Sequence, residues 1–455
     1  MPRCRSARAF LLVCLAFVPS AKSSAQMVEP APAASGDAVL PSPTPAAGMS
    51  LSDLEKIALQ RNPTLVQAAA QVQASLGKAL EAGLYPNPLT GYDGEQMGAK
   101  SGGAGERQGM FLQQTIITAG KLRLSRAKFK QEAYEAELLA LAQQLRVLNG
   151  IQVAFYEVLA AQQEIEIFRE LAENAEKAVR ATQEMVNVGQ ANPPDLLQAE
   201  VEVRQTQVAL GNAENRYRRS WEHLITLVGA PELPPQPLIG RLESDRPPLD
   251  WESSLRRLLE ENPQLQAARA EVVRDEIMVK RERVQWVPDI TVMGAAGYNS
   301  ELENRGATAD ARVSFPIPIF DRNQGTVRQA QAELSRAIAE VGRLELLLRQ
   351  NLATTFTSYQ NALRTVRAYQ EDILPKSKRA LELYQDYFKK QQRATWPQVL
   401  VAERAYFQQK EQYLSALIDF RRAEVAIHGL LLVDGLSTPF TVGGQGHIES
   451  VAKPR

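Results

Sequence analysis

The sequence predicts a mainly α-helical fold with a smaller β component, built twice within one chain of 455 residues. A repeated motif, long stretches without proline and pairs of amphipathic strand-like segments predict this fold class. The motif is an Asn-Pro helix start, found in Asn62–Val72 (NPTLVQAAAQV) and again in Asn262–Val272 (NPQLQAARAEV). Further along, Pro194 matches Pro397, and the residues around them keep the same shift of 203 positions. A constant shift over many positions indicates a tandem duplication.

The N-terminus has the parts of a secretory signal peptide. Three arginines precede the apolar run Ala9–Val18, and small residues follow where a signal peptidase would cleave. We expect residues 1–25 to be removed. Both cysteines, Cys4 and Cys14, lie in this segment, so the mature chain is expected to have neither thiol chemistry nor a disulfide. A Pro- and Ala-rich linker of disordered composition follows at residues 26–50.

The first repeat is predicted at residues 51–230. Ser52 and Asp53 are expected to cap a first short helix. That helix ends at Asn62-Pro63, because a residue before proline avoids the helical conformation while proline suits the first turn of a new helix. A β-hairpin at residues 88–118 and a long helical hairpin at residues 121–228 follow. Three-to-four spacing predicts a coiled-coil-like seam along the first long helix; it consists of Leu138, Leu141, Leu145, Leu148, Phe155 and Leu159, with Gln152 as the one polar interruption.

The second repeat is predicted at residues 250–434, after a Pro-rich inter-repeat linker at 231–249 and before a C-terminal tail at 435–455. Its first short helix is expected to begin at Asp250. A β-hairpin is predicted at residues 288–320, because apolar and polar residues alternate from Ala309 to Ile319. A second long helical hairpin is predicted at residues 324–432, with a kink near Pro375.

Composition excludes several classes of function. Lys plus Arg and Asp plus Glu both number 52, so no net charge favours nucleic acid. The three histidines lack metal-ligand spacing, and no glycine-rich loop ends in the Gly-Lys-Ser/Thr of a nucleotide site. Charged pairs such as Arg421-Arg422 are typical of a solvated helix face. We therefore expect a protein that is not an enzyme and has no cofactor, no resident metal and no nucleic acid partner.

The two predicted β-hairpins are suited to a membrane. Strands of about ten residues are long enough to cross a bilayer at a tilt within a closed barrel. Two hairpins cannot close a barrel, so several chains would have to combine theirs.

Three motifs carry a resemblance to a known family. They are Ala82–Pro88 (AGLYPNP), Thr118–Lys121 (TAGK), and Gly189 followed by Asp195–Glu200 (DLLQAE). Over about residues 51–434 the chain resembles the TolC family of outer membrane efflux proteins. The resemblance implies a homotrimer in the outer membrane, with one shared β-barrel and a trimeric α-barrel that extends into the periplasm.

By the same resemblance, the protein is the exit duct of a tripartite pump for substrates such as heavy-metal cations or drugs. The resemblance also implies its partners, a periplasmic adaptor and an inner-membrane transporter of the RND or ABC type. The Tyr-Pro-Asn-Pro and Gly-Lys features favour the cobalt-zinc-cadmium subgroup. The alternative is a periplasmic coiled-coil adaptor, although such proteins usually have one hairpin rather than two.

The resemblance also names candidate site residues at the periplasmic tip. Asp195 and Gln398 are candidates for the pore gate; for Asp195 an equally weighted alternative is that it only stabilises the start of a helix. The candidates for adaptor docking are Gly189, Asn192, Pro193, Pro194, Thr395, Trp396 and Pro397. For Trp396 the alternative, slightly favoured, is that its side chain packs within the tip.

Overall fold

The computed structural model describes residues 48–95, 107–189, 192–243, 247–300, 305–388 and 396–439. The predicted signal peptide, nearly all of the 26–50 linker and most of the 435–455 tail lie outside these residues. The side chains of Trp396 and Pro397 are also outside the described part.

Each repeat has the same order of elements, and the mainly α-helical fold class is confirmed. The first repeat contains α1 Leu51–Arg61, α2 Pro63–Glu81, β1 Leu89–Glu95, β2 Arg107–Ile116, α3 Lys121–Asn187 and α4 Pro193–Val228. The second contains α5 Trp251–Glu261, α6 Pro263–Val284, β3 Ile290–Asn299, β4 Gly306–Ser314, α7 Gln324–Ala368, a π-helical turn Tyr369–Ile373, α8 Leu374–Asp386 and α9 Trp396–His428.

The repeated Asn-Pro has the same structural role in both repeats. The buried side chain of Asn62 accepts a hydrogen bond from Thr64 N at 2.9 Å, which caps α2, and its Nδ2 donates to Leu227 O at 2.7 Å. Asn262 caps α6 and donates from Nδ2 to Leu430 O at 3.0 Å. Each asparagine therefore starts one helix and binds a carbonyl at the end of the helical hairpin of its own repeat.

The starts of the first short helices agree only in part with the sequence. Asp250 caps α5 as predicted, accepting from Ser253 N at 2.9 Å. In the first repeat the predicted cap at Ser52 is wrong, because Ser50 occupies the N-cap position. Asp53 acts from inside the first turn, where its side chain and that of Ser50 form a capping box.

The two long helices begin at equivalent left-handed residues. Gly120 (φ 68°) precedes α3 and Asn323 (φ 62°) precedes α7, and the two positions are 203 residues apart. α3 has 67 residues, so it is about 100 Å long at 1.5 Å per residue. Near the predicted kink at Pro375, a π-helical turn separates α7 from α8. Proline has no amide hydrogen to donate, which makes a regular α-helical turn incomplete there.

The end of the second helical hairpin differs from the prediction. α9 ends at His428 rather than at residue 432. Leu430 and Leu431 have positive φ angles of 57° and 64°, a conformation that an α-helix does not continue.

The main core lies where α1 and α5 pack against the helical hairpins. Trp221, Leu224 and Ile151 are almost fully buried there. The predicted leucine seam on α3 is confirmed only in part. Phe155 and Leu159 are buried and Leu145 packs against the core, whereas Leu141 is 46% exposed and Leu138 and Leu148 are half-buried. The buried stripe runs instead through Ala142, Val147, Ile151, Ala154, Phe155 and Val158.

The four strands form one antiparallel sheet in the order β1-β2-β3-β4. β2 of the first repeat pairs with β3 of the second from Arg107–Asn299 to Ile116–Ile290. The predicted extension of β4 to Ile319 is wrong, because the strand ends at Ser314. Pro316 and Pro318 lack the amide hydrogens that a continued strand would need.

Candidate functional site

The register of the sheet separates polar from apolar side chains. Residues directly opposite each other in antiparallel strands point to the same face. One face is mainly apolar, and its large side chains are exposed: Tyr92, Met110, Leu112, Ile116, Val292, Tyr298 and Val313. The other face carries Asp93, Glu95, Arg107, Gln113, Thr115, Thr291, Asn299, Thr308, Asp310, Arg312 and Ser314.

A few residues depart from this division. Thr90, Gln108 and Gln114 lie on the apolar face, and Leu89, Phe111 and Met293 lie on the polar face. The division is nevertheless strong enough to assign the environments. An exposed apolar sheet face is suited to lipid, and a polar face is suited to a water-filled lumen.

Ion pairs link three strands on the polar face. Arg107 on β2 pairs with Glu95 on β1, at 3.3 Å between Nη1 and Oε2. Its guanidinium also pairs with Asp310 on β4. The polar face thus has three acidic and two basic residues on its strands, counting Asp93 and Arg312.

The turn between α3 and α4 is shaped by glycine and by helix capping. α3 ends at Asn187 and Gly189 follows with φ 74°, a left-handed conformation that favours glycine. Asn192 is the N-cap of α4 and donates from its backbone N to Asp195 Oδ2 at 3.0 Å. Pro193 and Pro194 occupy the first turn. The structure therefore gives Asp195 the capping contact of the alternative interpretation.

The corresponding turn of the second repeat is described only in part. Thr395 lies outside the described residues, and α9 begins at Trp396. Gln398, the equivalent of Asp195, is exposed. It borders a groove of about 350 Å³ with Tyr384 on α8 and Val401 on α9.

A larger groove lies between α3 and α4 near the first turn. It has a volume of about 1110 Å³. Leu197, Val201 and Val208 line it and are exposed, and they are accompanied by the charged residues Arg180 and Arg204. This mixture of apolar and charged groups is typical of a surface that packs against another helix.

A buried ionic cluster joins the repeats at the α3–α6 contact. Arg274 on α6 pairs with Glu135 on α3 at 3.0 Å, and also with Glu271 and Asp275 at 3.0 Å each. Burial raises the pKa of Glu135 to about 8, despite the nearby Arg274 guanidinium. A second buried link, 2.8 Å from Arg281 Nε to Ser125 Oγ, lies further along the same helices.

Within the described ranges, no group of three or more His, Cys, Asp or Glu side chains has an arrangement that could hold a metal ion. The helices in the same ranges include none with the length and apolar character of a membrane span.

Comparison with known proteins identifies the family. The outer membrane efflux protein family matches residues 54–230 and again 254–431, so both repeats are covered. The chain belongs to the outer membrane efflux protein family. As a family member, it is an outer membrane channel that serves as an efflux exit duct and extends into the periplasm.

Individual relatives support the assignment. The cobalt-zinc-cadmium resistance protein CzcC of Cupriavidus metallidurans is 25% identical over 394 residues, covering 86% of this chain and 91% of CzcC. The nickel-cobalt-cadmium resistance protein NccC of Alcaligenes xylosoxydans xylosoxydans is 26% identical over 290 residues, covering 62% and 64%. The fold is similar to that of the open-state MtrE outer membrane channel of Neisseria gonorrhoeae, with a TM-score of 0.70 at 19% identity, covering 85% of this chain and 89% of MtrE.

Some features of this efflux protein were missed from the sequence. The sequence pattern does not reveal the buried Glu135–Arg274 cluster, because charged residues at helical spacing look the same whether the helix face is buried or solvated. The predicted solvated face at Arg421 is wrong, since this side chain is buried and pairs with Glu424 at 2.7 Å. Only the paired strands reveal the ionic link from Glu95 through Arg107 to Asp310.

Proposed function

We propose that three copies of this chain form the exit duct of a tripartite pump that exports heavy-metal cations. The observation that carries the proposal is the four-stranded sheet, which has one exposed apolar face, one polar face and two edge strands. In the hydrocarbon region an unpaired strand edge would leave backbone groups without hydrogen bonds, which costs several kcal/mol per group. β1 and β4 have no further strand beside them among the described residues.

Pairing β4 of one copy with β1 of the next would satisfy both edges. Three sheets of four strands would then close a barrel of about 12 strands, a size that leaves an aqueous interior. The apolar face would contact lipid, and the polar face, with Asp93, Glu95 and Asp310, would line the lumen. Trimerisation is also what the resemblance to the TolC family implies.

The proposed cargo rests on two relatives and on one motif. CzcC and NccC are named for resistance to divalent cations, and the Tyr-Pro-Asn-Pro run at residues 85–88 resembles their subgroup. We infer that an RND transporter in the inner membrane supplies the energy and selects the cargo, with an ABC transporter as the alternative. The duct itself would perform no catalysis and hold no cofactor.

The periplasmic tip is the proposed site of gating and of adaptor docking. Three Asp195 carboxylates would form an acidic ring if their side chains face the pore, while Gln398 would give the second repeat a neutral position. A periplasmic adaptor would meet the two turns, Gly189–Pro194 and Thr395–Pro397. The exposed Leu197 and Val201 beside the first turn offer it apolar contacts.

The test compares cation export with drug export in one strain. The gene is deleted, and growth is measured against zinc, cobalt and cadmium and against a panel of lipophilic drugs. Sensitivity to the cations alone, restored by the wild-type gene, is the expected result. Sensitivity to the drugs alone would refute the proposed cargo but not the duct.

The alternative role as a periplasmic adaptor is tested by cell fractionation. An outer membrane trimer is expected. A soluble periplasmic monomer would contradict the duct.

A further inference from the structure

The chain is a duplication, so the interface between its two repeats, where α6 packs against α3, is a template for the interface between copies. Each of these interfaces is called a joint below. Within the chain, α6 of the second repeat packs against α3 of the first. The equivalent elements are α2, which matches α6, and α7, which matches α3. If three copies form a ring, as proposed above, then α7 of one copy meets α2 of the next.

The residue equivalences are fixed by landmarks at both ends. Pro63 and Pro88 match Pro263 and Pro288, so α2 and α6 align without a gap at a shift of 200. The left-handed caps before α3 and α7 fix the shift for the long helices at 203.

One stripe is covered in α6 and open in α2. In α6 the stripe is buried and consists of Ala267, Ala270, Arg274 and Arg281. In α2 the equivalent residues are all exposed: Gln67, Ala70, Ala74 and Glu81. Arg274 and Arg281 reach side chains of α3, so the stripe is the face that the other repeat covers. Its counterpart on α2 is therefore the face left for another copy.

The shift changes the chemistry of the Arg281–Ser125 contact. Arg281 on α6 corresponds to Glu81 on α2, and Ser125 on α3 corresponds to Arg328 on α7. Both side chains are exposed, and neither has a hydrogen bond or ion pair with another described residue. We propose that Arg328 on α7 of one copy forms an ion pair with Glu81 on α2 of the next copy.

The second contact of the template also fits a second copy. At the positions equivalent to the Glu135–Arg274 hydrogen bond, Ile338 would lie opposite Ala74, and Ile338 is 56% exposed in the single chain. Burying it between copies removes apolar surface from water. The joint between copies thus consists of an apolar contact and one ion pair, whereas the joint within the chain contains a buried charge cluster.

The charges also discriminate against a wrong joint. The α6 stripe is covered by α3, and if α7 of another copy replaced α3 there, Arg328 would face Arg281, and like charges repel. Glu81 at the equivalent position of α2 attracts Arg328 instead. Charge complementarity therefore identifies the occupant of this face as α2 of a second copy.

Cysteine crosslinking tests the pair directly. The sequence after residue 14 contains no cysteine, so Glu81→Cys and Arg328→Cys introduce the only thiols of the mature chain. With a short bis-maleimide, whose two double bonds each add one cysteine thiol, the double variant is expected to give covalent trimers, at least tenfold more than either single variant. Glu81→Cys combined with Gln329→Cys is the matched control, because position 329 is rotated by about 100° around α7.

Charge reversal supplies the second readout. The measurement is made under conditions in which half of the wild-type trimer has dissociated. Glu81→Arg and Arg328→Glu are each expected to lower the trimer fraction at least tenfold there, and the double variant is expected to restore the wild-type fraction. Suppose that the wild-type protein is a trimer. The pair would then be overturned, with the duct left intact, if the 81/328 cysteine variant did not crosslink, if the 81/329 variant crosslinked equally, or if the double charge reversal did not restore the trimer. A wild-type protein that is not a trimer would overturn both.

Discussion

Replacing Asn62 by alanine should destabilise the fold more than any exposed polar substitution. The Asn62 side chain is 1% exposed and forms two kinds of hydrogen bond. Its Oδ1 accepts from Thr64 N at 2.9 Å, and its Nδ2 donates to Leu227 O at 2.7 Å. Asn62→Ala removes both at once.

The expected loss follows from these two interactions. Losing an N-cap costs about 1 kcal/mol. Leaving the buried Leu227 carbonyl without its donor costs about 2 kcal/mol more. The total is about 3 kcal/mol, and Asn262→Ala should lose a similar amount because its contacts are equivalent.

Two further variants separate the cap from the link to Leu227. Asn62→Asp keeps the acceptor for the cap but places a carboxylate oxygen near Leu227 O, so it should be at least as destabilising as Asn62→Ala. Asn212→Ala, at an exposed position of α4, is the control and should change little.

Thermal unfolding followed by far-ultraviolet circular dichroism provides the measurement. Heating rate and protein concentration must be held constant, because an oligomeric membrane protein unfolds with kinetic and mass-action contributions. A decrease of several degrees in Tm is expected for Asn62→Ala. If Asn62→Asp matched the wild type, capping alone would account for Asn62 and the proposed link would be refuted.

Three other predictions concern the repeat joint, the tip and the sheet. Because the folded-state pKa of Glu135 is raised from 4.5 to about 8, stability should fall as pH rises through that interval; Glu135→Gln should flatten this dependence in thermal unfolding measured from pH 5 to pH 9. Asp195→Ala should change cation selectivity in single-channel recordings if the carboxylates line the pore, whereas Asn192→Ala disrupts the same capping box without removing charge. Equal recordings for both variants would restrict Asp195 to capping. Leu112→Arg on the apolar face should cost about 2–4 kcal/mol in the bilayer and reduce outer membrane assembly, whereas Gln113→Arg should be tolerated. Equal assembly of the last two would contradict the assigned faces.

Local chemistry made much of the fold predictable. Asn-Pro pairs, helix caps and the proline-free stretch after Lys121 depend on neighbouring residues, so the sequence reveals them. The partners Leu227 and Leu430 are 165 and 168 residues away from their asparagines. Contacts at that separation depend on the packed structure and have no local pattern.

The errors have equally specific causes. Alternation continued to Ile319, but Pro316 and Pro318 cannot donate to a strand, so periodicity alone was insufficient. Leu141 matched a heptad position and is nevertheless exposed in the single chain, because small alanines bring α3 close to its neighbours along a different stripe.

Part of the candidate site was accessible from sequence. The capping role of Asp195 follows from its position three residues after Asn192. The division of the sheet into two faces in the first repeat required the register, because glycines such as Gly109 interrupt the alternation there.

Electron cryomicroscopy of the purified protein in lipid nanodiscs tests the central claim most directly. The account predicts three copies around one pore, with β4 of each copy paired to β1 of the next and Leu112 facing lipid. A monomer, or an assembly whose sheets do not pair edge to edge, would contradict it.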